Sequence, residues 1–167
     1  MPPEGRFDNI LYFKICRYIS AGYKGRMLMD QRVKDAIFHA VRKEPLAQGL
    51  RMELVALENG YSAVEMTYDP AIMDNIYNRA HGGAIFALID EAFETAGQTD
   101  GTIAVALNVN VTYIASPEAR VRLRAEAREI SRTSKTACYD IKVEEAGGKL
   151  IATCQALAYR TGKPIPF

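Results

Sequence analysis

The sequence is poor in cysteine and histidine, and it has no tryptophan. Its three cysteines, Cys16, Cys138 and Cys154, form no Cys-x-x-Cys pair, and His39 and His81 are its two histidines. We therefore expect neither a zinc site nor any other metal or cofactor. An odd number of cysteines without a paired spacing indicates a reducing compartment, which predicts a cytoplasmic protein.

Long apolar runs and an excess charge of either sign are also absent. No window reaches the roughly 18 apolar residues of a membrane span, and the N-terminus has no apolar core of signal-peptide type. The chain has 21 basic and 20 acidic residues, so we expect no nucleic-acid partner. A length of 167 residues with a hydrophobic fraction of 49% suits a single packed domain.

The first thirty residues are the least regular part of the sequence. Apolar residues are interspersed there with basic and aromatic ones, and Asp8 could cap a helix. We predict a helical extension over residues 1–30 that packs on the domain. The alternative is a basic amphipathic helix that lies on a membrane surface or in a partner's groove.

The rest of the chain shows helical and strand periodicities that indicate an α+β fold. Asp30 can cap a first helix that ends before Pro45, and Asn59-Gly60 indicates a hairpin. Apolar spacing predicts a very apolar helix over Gly82–Gly97, preceded by a loop over Asp69–Ala80. Hairpin-linked strands around one such helix predict a mostly antiparallel sheet with the helix on its face. The predicted strands are Leu50–Leu57, Tyr61–Tyr68, Ile103–Tyr113, Arg120–Ile130, Thr136–Glu145 and Leu150–Arg160.

The stretch Asn75–Glu91 carries the clearest chemistry. Gly82 and Gly83 open an apolar helix, and the first turn of a helix presents unpaired N–H groups with a partial positive charge. Such groups suit a developing oxyanion. The alternative is that the glycines only let the helix pack closely on the sheet, and the glycine pair alone favours neither interpretation.

Asp90 lies on the same predicted helix. On a helical wheel it lies at the edge of the apolar arc, next to Phe86 and Phe93. Glu91 lies near the other edge of that arc, and Glu94 lies on the solvated side. We therefore expect Asp90 to be half-buried with a raised pKa, which suits a base or a nucleophile. The alternative is an ordinary solvated carboxylate.

Helix geometry separates the two candidate groups. Asp90 follows Gly82 by eight residues, or about 12 Å along the helix axis. Groups that act on one carbonyl must each lie roughly 3 Å from it, so one helix cannot supply both. If both act together, they come from two copies of the chain. The spacing therefore predicts an active site at a homodimer interface.

This stretch resembles the hotdog-fold thioesterases of the phenylacetic-acid-degradation (PaaI-like) type. The resemblance rests on Asn75, on His81-Gly82-Gly83, and on Asp90 nine residues after the histidine. It continues in Asn110-Val111-Thr112-Tyr113, which resembles the family's strand leading to a proline, here Pro117. The resemblance covers residues 31–167, which it implies to be the thioesterase domain.

The resemblance implies a fold and a reaction. The fold is a long antiparallel sheet wrapped around the central helix, in dimers that join their sheets edge to edge and often pair into tetramers. The reaction is hydrolysis of an acyl-CoA thioester to a carboxylic acid and CoA. Coenzyme A is then part of the substrate.

The resemblance also implies roles for individual residues. Asp90 would be the nucleophile or the general base, and the backbone N–H of Gly82 or Gly83 would polarise the thioester carbonyl. Asn75 would position the carbonyl or the attacking water. His81 would shape the loop before the helix.

One departure from the family lies on the long strand. Related enzymes often carry Ser or Thr near Ala106 to orient water, and alanine cannot do that. Asn108 and Asn110, which the alternation of the strand places on the same face, are the candidates to replace it.

The nucleotide phosphates of CoA require basic or hydroxyl partners at the protein surface. Arg132, Ser134 and Lys135, at one strand connection, are the candidates to bind them. A merely solvated turn is an equally good interpretation. Two other functions stay open: a non-catalytic protein that binds acyl-CoA or an acyl carrier, and, less favoured, a hotdog dehydratase.

Overall fold

The computed structural model describes residues 29–167. The N-terminal extension predicted over residues 1–30 therefore falls almost wholly outside the described residues. Within the described part of the chain, no helix has both the length and the apolar character needed to cross a membrane.

Six antiparallel strands form one sheet. Its strand order is β1-β2-β4-β5-β6-β3, so that β1 and β3 are the two edges. This arrangement confirms the predicted α+β fold with an antiparallel sheet. The strands are β1 (Glu53–Glu58), β2 (Tyr61–Thr67), β3 (Thr102–Tyr113), β4 (Arg122–Arg132), β5 (Thr136–Glu145) and β6 (Leu150–Pro164).

One long helix packs on a single face of this sheet. Residues 29–167 contain four helices, which precede or interrupt the strands: α1 (Gln31–Val41), α2 (Pro45–Leu50), α3 (Pro70–Met73) and α4 (Gly82–Gly97). The apolar side of α4 is fully buried, including Leu88 and Ile89. The sheet meets it with small side chains such as Ala125 and Ala127, which let the helix approach closely. The prediction of α4 is confirmed at both ends.

The first helix and the first hairpin also follow the prediction. Asp30 caps α1 by accepting a hydrogen bond from the backbone N–H of Arg32 at 2.8 Å. The β1–β2 turn places Gly60 at a φ of +67°, the left-handed region that the Asn-Gly pair indicated.

Two short helices were not predicted, and each begins with a proline. Pro45 is the first residue of α2, which lies between the predicted first helix and the predicted first strand. Pro70 is the first residue of α3, which lies within the predicted loop. Proline favours the first helical position because its φ is preset and its missing N–H costs nothing there. Arg51, at a φ of +54°, ends α2, so β1 begins at Glu53 rather than at Leu50.

Candidate active site

The N-terminal end of α4 presents one free backbone donor. His81 caps the helix, and its Nδ1 accepts a hydrogen bond from the N–H of Gly83 at 2.8 Å. The N–H of Ala84 donates to the carbonyl of His81 at 3.0 Å. The N–H of Gly82 makes no hydrogen bond to any of residues 29–167. Of the two glycine amides, Gly82 therefore offers its N–H to a ligand, whereas Gly83 uses its own internally.

Gly82 also has a packing role. The hydroxyl of Tyr113, at the end of β3, donates to the carbonyl oxygen of Gly82 at 3.0 Å. A Cβ added at Gly82 would lie 3.2 Å from Cζ of the Tyr113 ring. Gly82 thus both packs closely on the sheet and offers a free N–H. Its role in packing and its role as an oxyanion donor are therefore compatible.

A tight loop leads into the helix, and Asn75 holds it. The side-chain oxygen of Asn75 accepts hydrogen bonds from the N–H groups of Tyr77 at 2.9 Å and Arg79 at 3.3 Å. Its own N–H donates to the carbonyl of Arg79 at 2.8 Å. The N–H of His81 donates to the carbonyl of Met73 at 2.7 Å, which closes the loop. Because these bonds use only the side-chain oxygen of Asn75, its side-chain NH₂ remains available as a donor.

Asp90 faces the edge strand β3. Its side chain is half-buried, as the helical wheel predicted, and burial raises the pKa of its carboxyl. It lines a cavity of about 250 Å³ between α4 and the start of β3. The other residues around this cavity are Phe93, Glu94, Gly97, Ala104, Val105, Ala106 and Ala158.

Glu91, the next residue, faces the opposite flank of the helix. It is only 4% exposed and lines a different cavity together with Ile37 and Val41 of α1. Burial, and then the neighbouring Glu44, raise the pKa of Glu91 to about 8. Of the two adjacent carboxylates, Asp90 alone lines the cavity at the β3 edge. The geometry therefore favours Asp90 over Glu91 for chemistry there.

Comparison with known proteins agrees with this geometry. The thioesterase superfamily matches residues 77–152, which include the end of the loop, α4 and β3. A protein from Archaeoglobus fulgidus that is named as an esterase is 33% identical over 149 residues, which cover 89% of this chain and 93% of the relative. The chain belongs to the thioesterase superfamily.

A second relative and a solved structure belong to the PaaI branch of that superfamily. The acyl-coenzyme A thioesterase PaaI of Escherichia coli is 29% identical over 128 residues, covering 76% of this chain and 91% of PaaI. The solved structure of E. coli PaaI matches with a TM-score of 0.77 at 25% identity and covers 82% of this chain and 99% of that one. The chain is thus a PaaI-like hotdog thioesterase, a hydrolase of thioesters. The predicted family and enzyme class are confirmed.

The prediction that Asn108 and Asn110 lie on the same face of β3 as Ala106 is wrong. Ala106 pairs with Ala158 and lies on the face that meets α4. The pairing with β6 then shifts by one residue, so Asn108 lies opposite Leu157 and Asn110 opposite Gln155, on the outer face of the sheet. A bulge of one residue inverts the alternation that follows it. Neither asparagine therefore lies on the same face as Asp90 or replaces a hydroxyl at position 106.

The predicted phosphate partners of the thioesterase divide into two groups. Arg132 points inward: its Nη1 donates to Asp100 at 2.7 Å and its Nε donates to Glu129 at 2.7 Å. Its guanidinium is thereby committed to internal ion pairs, contrary to the expectation that it binds phosphate. Ser134 and Lys135 are exposed in the β4–β5 turn, and their role stays a prediction.

Asp100 links three parts of the domain. It follows α4, and besides Arg132 it pairs with Arg160 of β6. Burial alone would raise its pKa, but hydrogen bonds from Thr102 and Arg160 hold the pKa of Asp100 below its ordinary value. This cluster was not predicted, because its members are far apart in the sequence.

Proposed function

We propose that this thioesterase hydrolyses acyl-CoA at a site shared by two chains, with Asp90 from one chain and the Gly82 end of α4 from the other. The observation that carries the proposal is the distance between the two reactive groups, which lie far apart on the same helix. Asp90 lines a cavity at the start of β3, and the free N–H of Gly82 lies about 12 Å away along the helix, beside the end of β3. Membership of the thioesterase superfamily favours hydrolysis over the non-catalytic and dehydratase alternatives.

The edge strand β3 suits the contact between the two chains. It pairs with β6 on one side and with no strand of residues 29–167 on the other. Its Val105, Leu107 and Tyr113 are 47%, 57% and 52% exposed, so this open edge carries exposed apolar side chains along its length. Open apolar edges of this kind favour pairing with another strand. We infer a homodimer joined through β3.

Antiparallel pairing of two β3 strands about their midpoint supports a composite site. Ala104 would then lie opposite the partner's Val111, and Ala106 opposite the partner's Val109. The cavity of Asp90 would come to lie near the end of the partner's strand, where Tyr113 contacts Gly82. Two such sites would form in each dimer, related by the twofold axis.

The chemistry follows two possible routes from this arrangement. In one, the Asp90 carboxylate attacks the thioester carbon, CoA leaves as the thiolate, and water hydrolyses the resulting anhydride. In the other, Asp90 takes a proton from water, and the hydroxide attacks the same carbon. In both, the developing oxyanion accepts a hydrogen bond from the N–H of the partner's Gly82. A single turnover in ¹⁸O water distinguishes them: on the first route, attack of water on the Asp90 side of the anhydride leaves ¹⁸O in Asp90, whereas the second route places ¹⁸O only in the released acid.

The remaining predictions of the site belong to this proposal. Asn75 would direct its side-chain NH₂ at the substrate carbonyl or water, and His81 would keep the loop and the first helical turn in place. Ser134 and Lys135 would contact the CoA phosphates. A second pairing of dimers into tetramers and a cytoplasmic location complete the proposal.

A panel of substrates tests the function. Hydrolysis of acetyl-CoA, medium-chain, long-chain and aryl-acyl CoAs would be followed by release of free thiol. Asp90→Asn should lower kcat by at least about 10²-fold on the best substrate, since it removes the base or nucleophile. Asp140→Asn, at an exposed position on the outer face, is the matched control and should keep wild-type activity. Equal activity of the two variants would exclude catalysis by Asp90.

A further inference from the structure

A second cavity lies on the flank of α4 that faces away from β3. Its volume is about 350 Å³, and it is enclosed by α1, the turn before α2, α4 and the end of the chain. Apolar and acidic side chains share its wall: Ile37, Val41, Phe167, Glu44, Glu91 and Glu94. The proposed catalytic groups do not line this cavity, so it has no role in the reaction described above.

Glu91 is the unusual group in this wall. Its side chain is 4% exposed, and its Oε1 has no hydrogen-bond partner. A buried polar atom without a partner is costly and rare in native proteins. The Glu91 carboxyl lies within hydrogen-bond reach of Glu44, but no group of residues 29–167 donates a hydrogen bond to its Oε1.

The charged groups around Glu91 are mostly of its own sign. Glu44 lies before α2, and Asp90 and Glu94 lie on α4; each of them raises the pKa of Glu91, after the larger effect of burial. Lys43 also lines the cavity, but its side chain is exposed. Buried carboxylates are normally paired with a cation. No positive group of residues 29–167 is thus paired with Glu91, although Lys43 lies at the cavity.

We propose that this cavity binds a cationic nitrogen group, an ammonium or a guanidinium, which pairs with Glu91 and Glu44. The apolar wall formed by Ile37, Val41 and Phe167 would take the alkyl stem of such a group, and the Phe167 ring can face its charge. A metal ion fits less well, because residues 29–167 contain no group of three His, Cys, Asp or Glu side chains arranged to hold one.

Two sources could supply this group. One is a free alkylamine. The other is the chain's own N-terminal sequence, since 28 residues can span at most about 100 Å, whereas α1 is only about 17 Å long. That sequence has more basic than acidic residues; the basic ones are Arg6, Lys14, Arg17, Lys24 and Arg26.

The pKa of Glu91 reports which source fills the cavity. In the absence of a cation, burial and Glu44 hold it at about 8, and a paired cation would lower it. Full-length protein labelled with ¹³C at the glutamate carboxyls would be titrated by NMR, with Glu91→Gln to assign the signal. The titration would be repeated with n-butylammonium chloride and, as a control, with the same concentration of sodium chloride.

Each result supports or overturns the proposal. A pKa that falls by about one or more with butylammonium, and not with sodium, indicates a site for free amines. A pKa already below about 7 that rises when the five basic residues are changed to Gln indicates the chain's own segment. A pKa near 8 that neither treatment alters overturns the proposal, as does a low pKa that the five substitutions leave unchanged.

Thermal unfolding gives a second measurement that does not need the NMR assignment. If free amines bind, butylammonium should raise the unfolding midpoint of the wild type and of Glu118→Gln, whose carboxyl is exposed. It should not raise the midpoint of Glu91→Gln. An equal rise in all three proteins would show that the amine acts elsewhere and would overturn a free-amine site at Glu91.

Discussion

Gly82 is the position at which the oxyanion donor can be removed without disturbing the helix. Its N–H is at the first helical position and makes no hydrogen bond within residues 29–167, so Gly82→Pro breaks no internal bond. Proline suits that position, and His81 before it is already extended, with a ψ of 130°. Gly82→Ala adds a Cβ at the same place but keeps the N–H. The pair of variants therefore separates the donor from the packing.

The expected difference is large if the N–H binds the oxyanion. Loss of one such donor typically lowers kcat by about 10² to 10³-fold, or about 2.7–4 kcal/mol of transition-state stabilisation. The alanine Cβ would lie 3.2 Å from the Tyr113 ring, which is half exposed and can move, so Gly82→Ala should keep most of the activity. The assay is kcat for acyl-CoA hydrolysis, with circular dichroism to check folding. Equal kcat values for the two folded variants would refute the assignment of this donor.

Three further predictions concern pH and stability. Burial raises the pKa of the Asp90 carboxyl, and its deprotonated form is the reactive one. The value of kcat/KM should therefore rise with pH, with an apparent pKa above the ordinary aspartate range, and Asp90→Asn should not show this rise. Asp100→Asn should lower the free energy of unfolding by about 1–3 kcal/mol at pH 7, because it removes the ion pair with Arg132. Since the pKa of Asp100 is lowered in the folded protein, the difference in stability between wild type and variant should disappear as the pH falls through that pKa. Urea unfolding at several pH values measures this difference. Tyr113→Phe, which removes a hydroxyl donor to the first turn of α4, should cost about 0.5–1.5 kcal/mol, whereas Tyr77→Phe at a 76% exposed position should cost nothing measurable.

The sequence predicted those elements whose signals are local. The apolar spacing and the bounding glycines define α4 from Gly82 to Gly97, and the predicted strand Thr136–Glu145 matches β5 at both ends. The Asp90 carboxyl was predicted to be half-buried because its burial depends on the helix period alone. The separation between Asp90 and Gly82 follows from helix rise, which needs no tertiary structure.

Features that depend on pairing between distant segments were not predictable in this way. The alternation through β3 is continuous in the sequence, and only its register against β6 reveals the bulge that moves Asn108 and Asn110 to the outer face. The sequence does not reveal that Arg132 is held in an internal ion pair, because its partner Asp100 lies 32 residues earlier in the sequence. The internal bond of the Gly83 N–H likewise depends on the rotamer of His81, which no sequence pattern specifies.

The claim that each active site draws on two chains can be measured with a mixed dimer. Asp90→Asn and Gly82→Pro chains with different tags would be co-expressed, and the doubly tagged heterodimer would be purified. One of its two sites then keeps both Asp90 and the Gly82 N–H, so it should hydrolyse acyl-CoA at about half the wild-type rate per dimer, although each parent homodimer is impaired. A heterodimer no more active than its parents would contradict the shared site.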